Sequence, residues 1–203
     1  MAAFSKGLAM KRTHLAGMAA ALLLLTTAVL STAQTRPRAK VEGEPDVPFV
    51  PTPFKVVDKM LELAEVHKGD VVYDLGCGDG RILVAAAKKY EARGVGFDID
   101  PERIRDSVEN VKVNDVEKLV TIKQADIFTL DLTGASVITL YLTPELNVKL
   151  IPQLQKLKPG CRIVSHAFDM RGIKPNKVVS VPLTAGVRRT LYLWVTPLEK
   201  EKP

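Results

Sequence analysis

From residue 47 onward the apolar positions fall into two kinds of run. Short blocks of consecutive apolar residues mark strands buried on both faces, and between them apolar residues recur every three or four positions, as on helices. Residues 71–73 read as a short buried strand, with Asp74 near its carboxyl end. Gly76, Cys77, Gly78, Asp79 and Gly80 then form a tight glycine loop. Ile82, Leu83, Ala86 and Tyr90 follow at helical spacing, and residues 94–97 make a second apolar strand that stops at Asp98.

The alternation continues to the end of the chain. Ile104, Val108 and Val111 predict the buried face of a helix that Asp100 caps and Pro101 opens. Residues 119–122 form a third strand that runs into Asp126 and Ile127, and residues 135–142 a fourth. Leu146, Leu150, Leu154 and Leu157 line a helix capped by Thr143, opened by Pro144 and kinked at Pro152. A fifth strand spans 161–167, and two more lie around 178–183 and 191–196. The connection 168–177 is too short for a helix with its turns. Upstream, Val57, Met60, Leu61 and Ala64 give one helical stripe. Thr52 suits its cap and Pro53 its first turn. Strands alternating with helices predict an α/β domain with a parallel sheet, whose ligands bind at the carboxyl ends of the strands.

The first 33 residues read differently. Lys11 and Arg12 precede an apolar run from Met18 to Leu30, and Ser31, Thr32 and Ala33 follow. This is the pattern of a secretory signal, more compact if counted from Met10 than from Met1. The run is short for a membrane span of about 20 residues, but an uncleaved anchor is the alternative. Either way the domain is expected outside the cytoplasm or tethered by this segment, with no other membrane contact. Residues 34–46 are a polar linker. The folded domain is expected over 47–198, opened by a stiff proline segment, VPFVPTP.

Composition narrows the partners. The chain has 203 residues and a formal charge of +6. Three of its 29 basic residues and none of its 23 acidic ones precede residue 34, so the remainder carries only +3. That is too mild to argue for nucleic acid. Two cysteines, Cys77 and Cys161, read as buried free thiols rather than a disulfide or metal site. A monomer is expected.

The chemistry centres on the loop. Glycines allow a ligand close to the backbone, and a helix starting near Asp79 would aim unpaired N–H groups at it. Asp98 lies 22 residues after Gly76, close to the roughly 20 expected for an acid that binds ribose. The site should therefore hold a nucleoside-containing cofactor. In the dinucleotide fingerprint the third glycine would fall where Arg81 stands, which disfavours a nicotinamide enzyme.

The pattern Asp74-x-Gly76-x-Gly78-x-Gly80, followed by Asp98, resembles motif I of class I S-adenosylmethionine-dependent methyltransferases. The resemblance implies S-adenosylmethionine as cofactor and a Rossmann-like seven-stranded sheet in the order 3-2-1-4-5-7-6, mostly parallel with an antiparallel last strand. It gives Asp74, Gly76, Cys77 and Gly78 the methionine end of the cofactor. It gives Asp98, with Ile99, the ribose, and Asp126 and Ile127 the adenine.

Four stretches, VPFVPTP at 47–53, VVYDLGCGDGRI at 71–82, YLTPELN at 141–147 and GCRIVSHAFDMRG at 160–172, resemble a narrower group, the small archaeal and mitochondrial protein-lysine methyltransferases. Phe49 departs from that group's usual tyrosine. The resemblance implies lysine side chains of proteins as acceptors, with Thr52 in the segment that encloses the cofactor. A small-molecule methyltransferase and a non-catalytic cofactor-binding protein are the alternatives. Tyr141 is the candidate for orienting the acceptor, with Thr143 and Pro144 beside it. Glu145 suits a helix N-terminus, His166 a core or rim position, and Arg171 a solvated loop.

Overall fold

The computed structural model describes residues 46–184 and 186–201. The expected signal segment, and the expected linker up to residue 45, lie outside them. Five strands run parallel: β1 (Val71–Leu75), β2 (Arg93–Asp98), β3 (Val120–Gln124), β4 (Val137–Leu140) and β5 (Arg162–His166). β6 (Lys177–Pro182) and β7 (Arg188–Val195) complete one seven-stranded sheet in the order β3-β2-β1-β4-β5-β7-β6. β7 is antiparallel to both neighbours. This is the expected Rossmann-like architecture. As expected too, no helix lies between β5 and β6.

Helices α1 (Phe54–Leu63), α2 (Arg81–Tyr90), α3 (Pro101–Val113) and α4 (Pro144–Leu154) flank the sheet. One core joins Val57, Met60 and Leu61 of α1 to Leu83 and Ala86 of α2 and to Val72 and Val137 of the sheet. The other joins Leu150 and Leu154 of α4 to Leu75, Ile138, Leu140, Ile163 and Trp194. Apolar cover on both faces is why every residue of β4 is buried. Cys77 and Cys161 are buried free thiols, as expected. Burial pushes the Cys161 thiol up to about 11.

Three local expectations are corrected. Thr52 does not cap α1. Pro53 holds the cap position, its carbonyl accepting from the amides of Val56 and Val57, and Thr52 is turned inward. Val108 is 49% exposed; α3 buries Val111 as expected, but Ser107 in place of Val108. The face is rotated because α3 crosses the glycine loop closely: a Cβ on Gly80 would stand 3.2 Å from that of Ser107. A small side chain is needed there and a valine would not fit. Thr143 occupies the cap position of α4 but makes no side-chain capping bond.

At the amino-terminal ends of the strands, opposite the strand ends that carry the glycine loop, Asp70 anchors a polar clasp. It accepts hydrogen bonds from the amide of His67 (2.9 Å), the hydroxyl of Ser136 (2.7 Å) and the guanidinium of Arg162. Arg162 also donates to the last carbonyls of the α1 region, Ala64 and Glu65. Burial pushes the Asp70 pKa up, but these bonds outweigh it and hold the carboxyl below its usual value.

Candidate active site

The strand order reverses at β1, which pairs with β2 on one side and β4 on the other. A cleft opens above that point, at the carboxyl ends of the strands, as the fold rule requires. β1 delivers Asp74 and Gly76, β2 delivers Asp98 and Ile99, β3 delivers Asp126 and Ile127, and β4 delivers Tyr141 and Leu142. The proline segment lies across it as a strap, with Phe49 and Thr52 in its lining. The sequence-predicted residues thus converge on one site. Gly78, Thr143 and Pro144 are the exceptions: Gly78 lies under Phe49, and the other two stand at the start of α4, all three outside the cleft lining.

The glycine loop is built differently from expectation. Four of its five amides are engaged within the protein. Those of Gly76 and Cys77 both donate to the carbonyl of Phe97 at 2.9 Å, and that of Gly78 donates to Asp98 Oδ2 at 2.9 Å. Gly80 donates to the carbonyl of Cys77, and Arg81 to Asp79 Oδ1. Gly76, Gly78 and Gly80 all have positive φ, which lets the loop fold back onto the end of β2. α2 accordingly begins at Arg81, after the loop has closed. Gly78 has a second reason to be glycine. A Cβ there would meet the Phe49 ring at 2.2 Å, so the strap lies directly on the loop.

The carboxylates are what remain for a ligand. Asp98 is held by the Gly78 amide and, through Oδ1, by the amide of Asp100 at 3.0 Å. That fixes its orientation and leaves lone pairs toward the cleft. Asp126 caps a short 3₁₀ turn, Ile127–Thr129, by accepting from the Phe128 amide at 2.9 Å. Gln153 of α4 donates to the Ile127 carbonyl and locks that turn. Asp74 is buried. Its Oδ1 accepts from the Thr139 hydroxyl at 2.6 Å, and its Oδ2 has no protein partner. Burial pushes its pKa up to about 7; the Thr139 bond opposes this, and the charges of Asp98 and Asp79 add to it.

Among the described residues, six carboxylates and two guanidiniums line the cleft. Both guanidiniums are engaged. Arg81 pairs with Asp79 at 2.9 Å and donates to the Thr52 carbonyl at 3.0 Å. Arg103 pairs with Asp106 at 2.8 Å and lies 4.9 Å from the centroid of Phe49. The two arginines therefore fasten the strap. Arg81 stood in plain view in the sequence, at the position of the missing glycine, but its partner lies 29 residues earlier. Arg103 had no local signal at all.

Tyr141 forms the far wall. Its ring packs on His166, centroids 3.9 Å apart, and lies nearly parallel to Phe168 at 6.2 Å. His166 is fully buried, as expected for a core position, with Nδ1 hydrogen-bonded to the Thr52 hydroxyl at 3.2 Å. Burial, with a smaller push from Arg189, lowers its pKa to about 4, so it is neutral at physiological pH and a poor base. Glu145 and Arg171 pair at 2.6 Å on the exposed rim. The Glu145 carboxyl is held below its usual value by its own amide first, with the Thr143 hydroxyl and Arg171 contributing.

The donor set fits a cationic, nucleoside-containing ligand. An orphaned buried carboxylate oxygen suits an ammonium group, and oriented carboxylates lining the cleft suit ribose hydroxyls and an adenine amine. A pyrophosphate would meet carboxylates and a loop most of whose amides are already used.

Comparison with known proteins agrees. The ANTKMT methyltransferase domain model matches residues 74–177. A protein-lysine N-methyltransferase of Saccharolobus islandicus is 46% identical over 153 residues, 74% of this chain and 94% of that one. A human ATP synthase lysine N-methyltransferase is 26% identical over 133 residues, 65% of this chain and 56% of that one. Among solved structures, one described as an RNA methyltransferase from Salinibacter ruber in complex with S-adenosyl-L-homocysteine superposes with a TM-score of 0.69 at 46% identity. It covers 76% of this chain and 98% of that one.

Proposed function

Since this chain belongs to the ANTKMT methyltransferase family, we propose that it methylates lysine side chains of proteins. The observation that carries the reading is the match to a protein-lysine N-methyltransferase at 46% identity across 94% of that protein. S-adenosylmethionine, when bound, supplies an electrophilic sulfonium methyl group. Asp74 would hold its ammonium, Asp98 its ribose hydroxyls and Asp126 the adenine amine, with Ile99 and Ile127 against the ring. The glycine loop and strap would enclose it.

The remaining work falls to the acceptor side. A lysine must lose its proton before it attacks. With a reference pKa of about 10.4, that costs roughly 4 kcal/mol near neutral pH. The apolar approach past Tyr141, Leu142 and Leu146 lowers this cost by desolvating the ammonium. His166, neutral and buried, is not placed to take the proton, which leaves to solvent. Alignment and exclusion of water supply the rest.

RNA as acceptor is the second reading, favoured by the description of the Salinibacter relative. The cleft opposes it: its carboxylates repel phosphate, and both of its arginines are already paired. Incubation with labelled S-adenosylmethionine, a protein mixture and total RNA, followed by mass spectrometry, decides. Methyl groups on lysine ε-amines are expected, with a rate that climbs with pH. Methyl groups confined to RNA or to small metabolites would overturn the lysine reading and leave the methyltransferase standing. We also propose, from residues 1–33, that the domain is exported or anchored by that segment; amino-terminal sequencing of the mature protein tests this.

A further inference from the structure

Three stretches of the sequence, the strap among them, meet in one place behind the cleft. Asn147, which ends YLTPELN, is fully buried on α4 and donates to the carbonyl of Asp169 (2.9 Å) and to that of Phe168 (3.3 Å). Ser165 donates to the same Phe168 carbonyl at 2.7 Å. Thr52, from the strap, holds His166. These bonds fix a tight turn after β5. Ala167 sits at φ +68°, a conformation a residue with a Cβ adopts at a cost, and the Phe168 amide closes onto the carbonyl of His166 at 2.9 Å. The product of this wiring is an exposed ring. Phe168 is 37% exposed, while Met170, two residues on, is fully buried. It stands beside Tyr141, nearly parallel to it, outside the residues that line the cofactor cleft.

We propose that Phe168 is the specificity-determining residue of the acceptor side, packing the alkyl chain of the incoming lysine against the Tyr141–Phe168 wall while the amine passes Tyr141 into the cleft. The inference rests on the lysine reading above. A flat aromatic face suits both the four-carbon stem and the cationic head of an approaching lysine. Tyr141 bounds the cofactor cleft and touches Phe168, so a chain sliding over the pair is aimed at the end of β4.

Steady-state methylation of poly-L-lysine and of denatured β-casein by the full chain tests it, with cofactor affinity measured by calorimetry. Phe168→Ala should raise the acceptor KM about ten-fold, the effect of losing one well-packed ring, with kcat and cofactor Kd close to wild type. Phe168→Leu should recover most of the loss. Phe168→Lys, soluble and repelling the substrate, should raise KM further. An acceptor KM within two-fold of wild type in Phe168→Ala and Phe168→Lys would overturn the inference while the lysine reading stands. A parallel loss of cofactor affinity would overturn it too, as the sign of a merely structural role. Wild-type protein that labels neither acceptor removes the lysine reading and the inference with it.

Discussion

At the scale of single residues, the two carboxylates proposed to hold the cofactor differ in their surroundings. Asp98 is oriented by two backbone amides and faces the cleft. Asp98→Ala should weaken S-adenosylmethionine binding ten-fold or more in calorimetry, since hydrogen bonds to a charged group contribute roughly 1.5–3 kcal/mol each. Unchanged affinity would show that the ribose is held elsewhere. Asp74 is a titrating group. Its pKa rises from 3.8 to about 7 on folding. The folded state therefore binds the proton more tightly than the unfolded chain, and this contribution to stability, full below about pH 4, is lost as pH rises toward 7. Cofactor affinity has the reverse sign, because an ammonium group is matched by the carboxylate and not the acid. Affinity should increase between about pH 6 and 7.5, and Asp74→Asn should flatten that dependence. The acids were legible because each ends an apolar strand. The shifted pKa was not, since it comes from burial that only the fold creates, opposed by the bond from Thr139, 65 residues away.

At the scale of elements, the loop and the strap form one unit. Gly78→Ala forces a Cβ into the Phe49 ring and also places a side chain at φ +55°. Each effect should lower cofactor affinity. Phe49→Ala removes the first and not the second, so the double variant should lose less than the sum of the two singles; strict additivity would mean that strap and loop do not touch in solution. The strap's stiffness was legible from its prolines, but its fastening was not. Thr52 satisfies the local rule for a helix cap and also the distant nitrogen of His166, 114 residues on, and only the fold decides between them. Val108 failed for a related reason. Periodicity alone places it inward on α3, and the close approach of Gly80 to Ser107 rotates that face away.

At the scale of the molecule, every described strand and helix lies between Phe54 and Val195. Deleting residues 1–33 should therefore leave the melting temperature and cofactor affinity of the remaining chain unchanged; a truncated chain that does not fold would refute the boundary. The far end of the sheet is held by a charge. Arg162→Ala strands the buried Asp70 carboxylate and cuts the tie to α1, and should destabilise the fold by roughly 3–5 kcal/mol in a denaturant titration, as the loss of one partner of a buried pair does. The absence of a helix after β5 was legible from spacing and the strand order followed from the motif I resemblance, whereas this clasp joins residues 92 apart and left no local trace. The closed glycine loop also has a consequence for timing. Because the amides of Gly76, Cys77 and Gly78 are engaged within the protein itself, their hydrogen exchange should be slow both with and without cofactor. With the cradle already standing when a cofactor molecule collides with it, the strap, rather than the loop, should set how long each molecule stays.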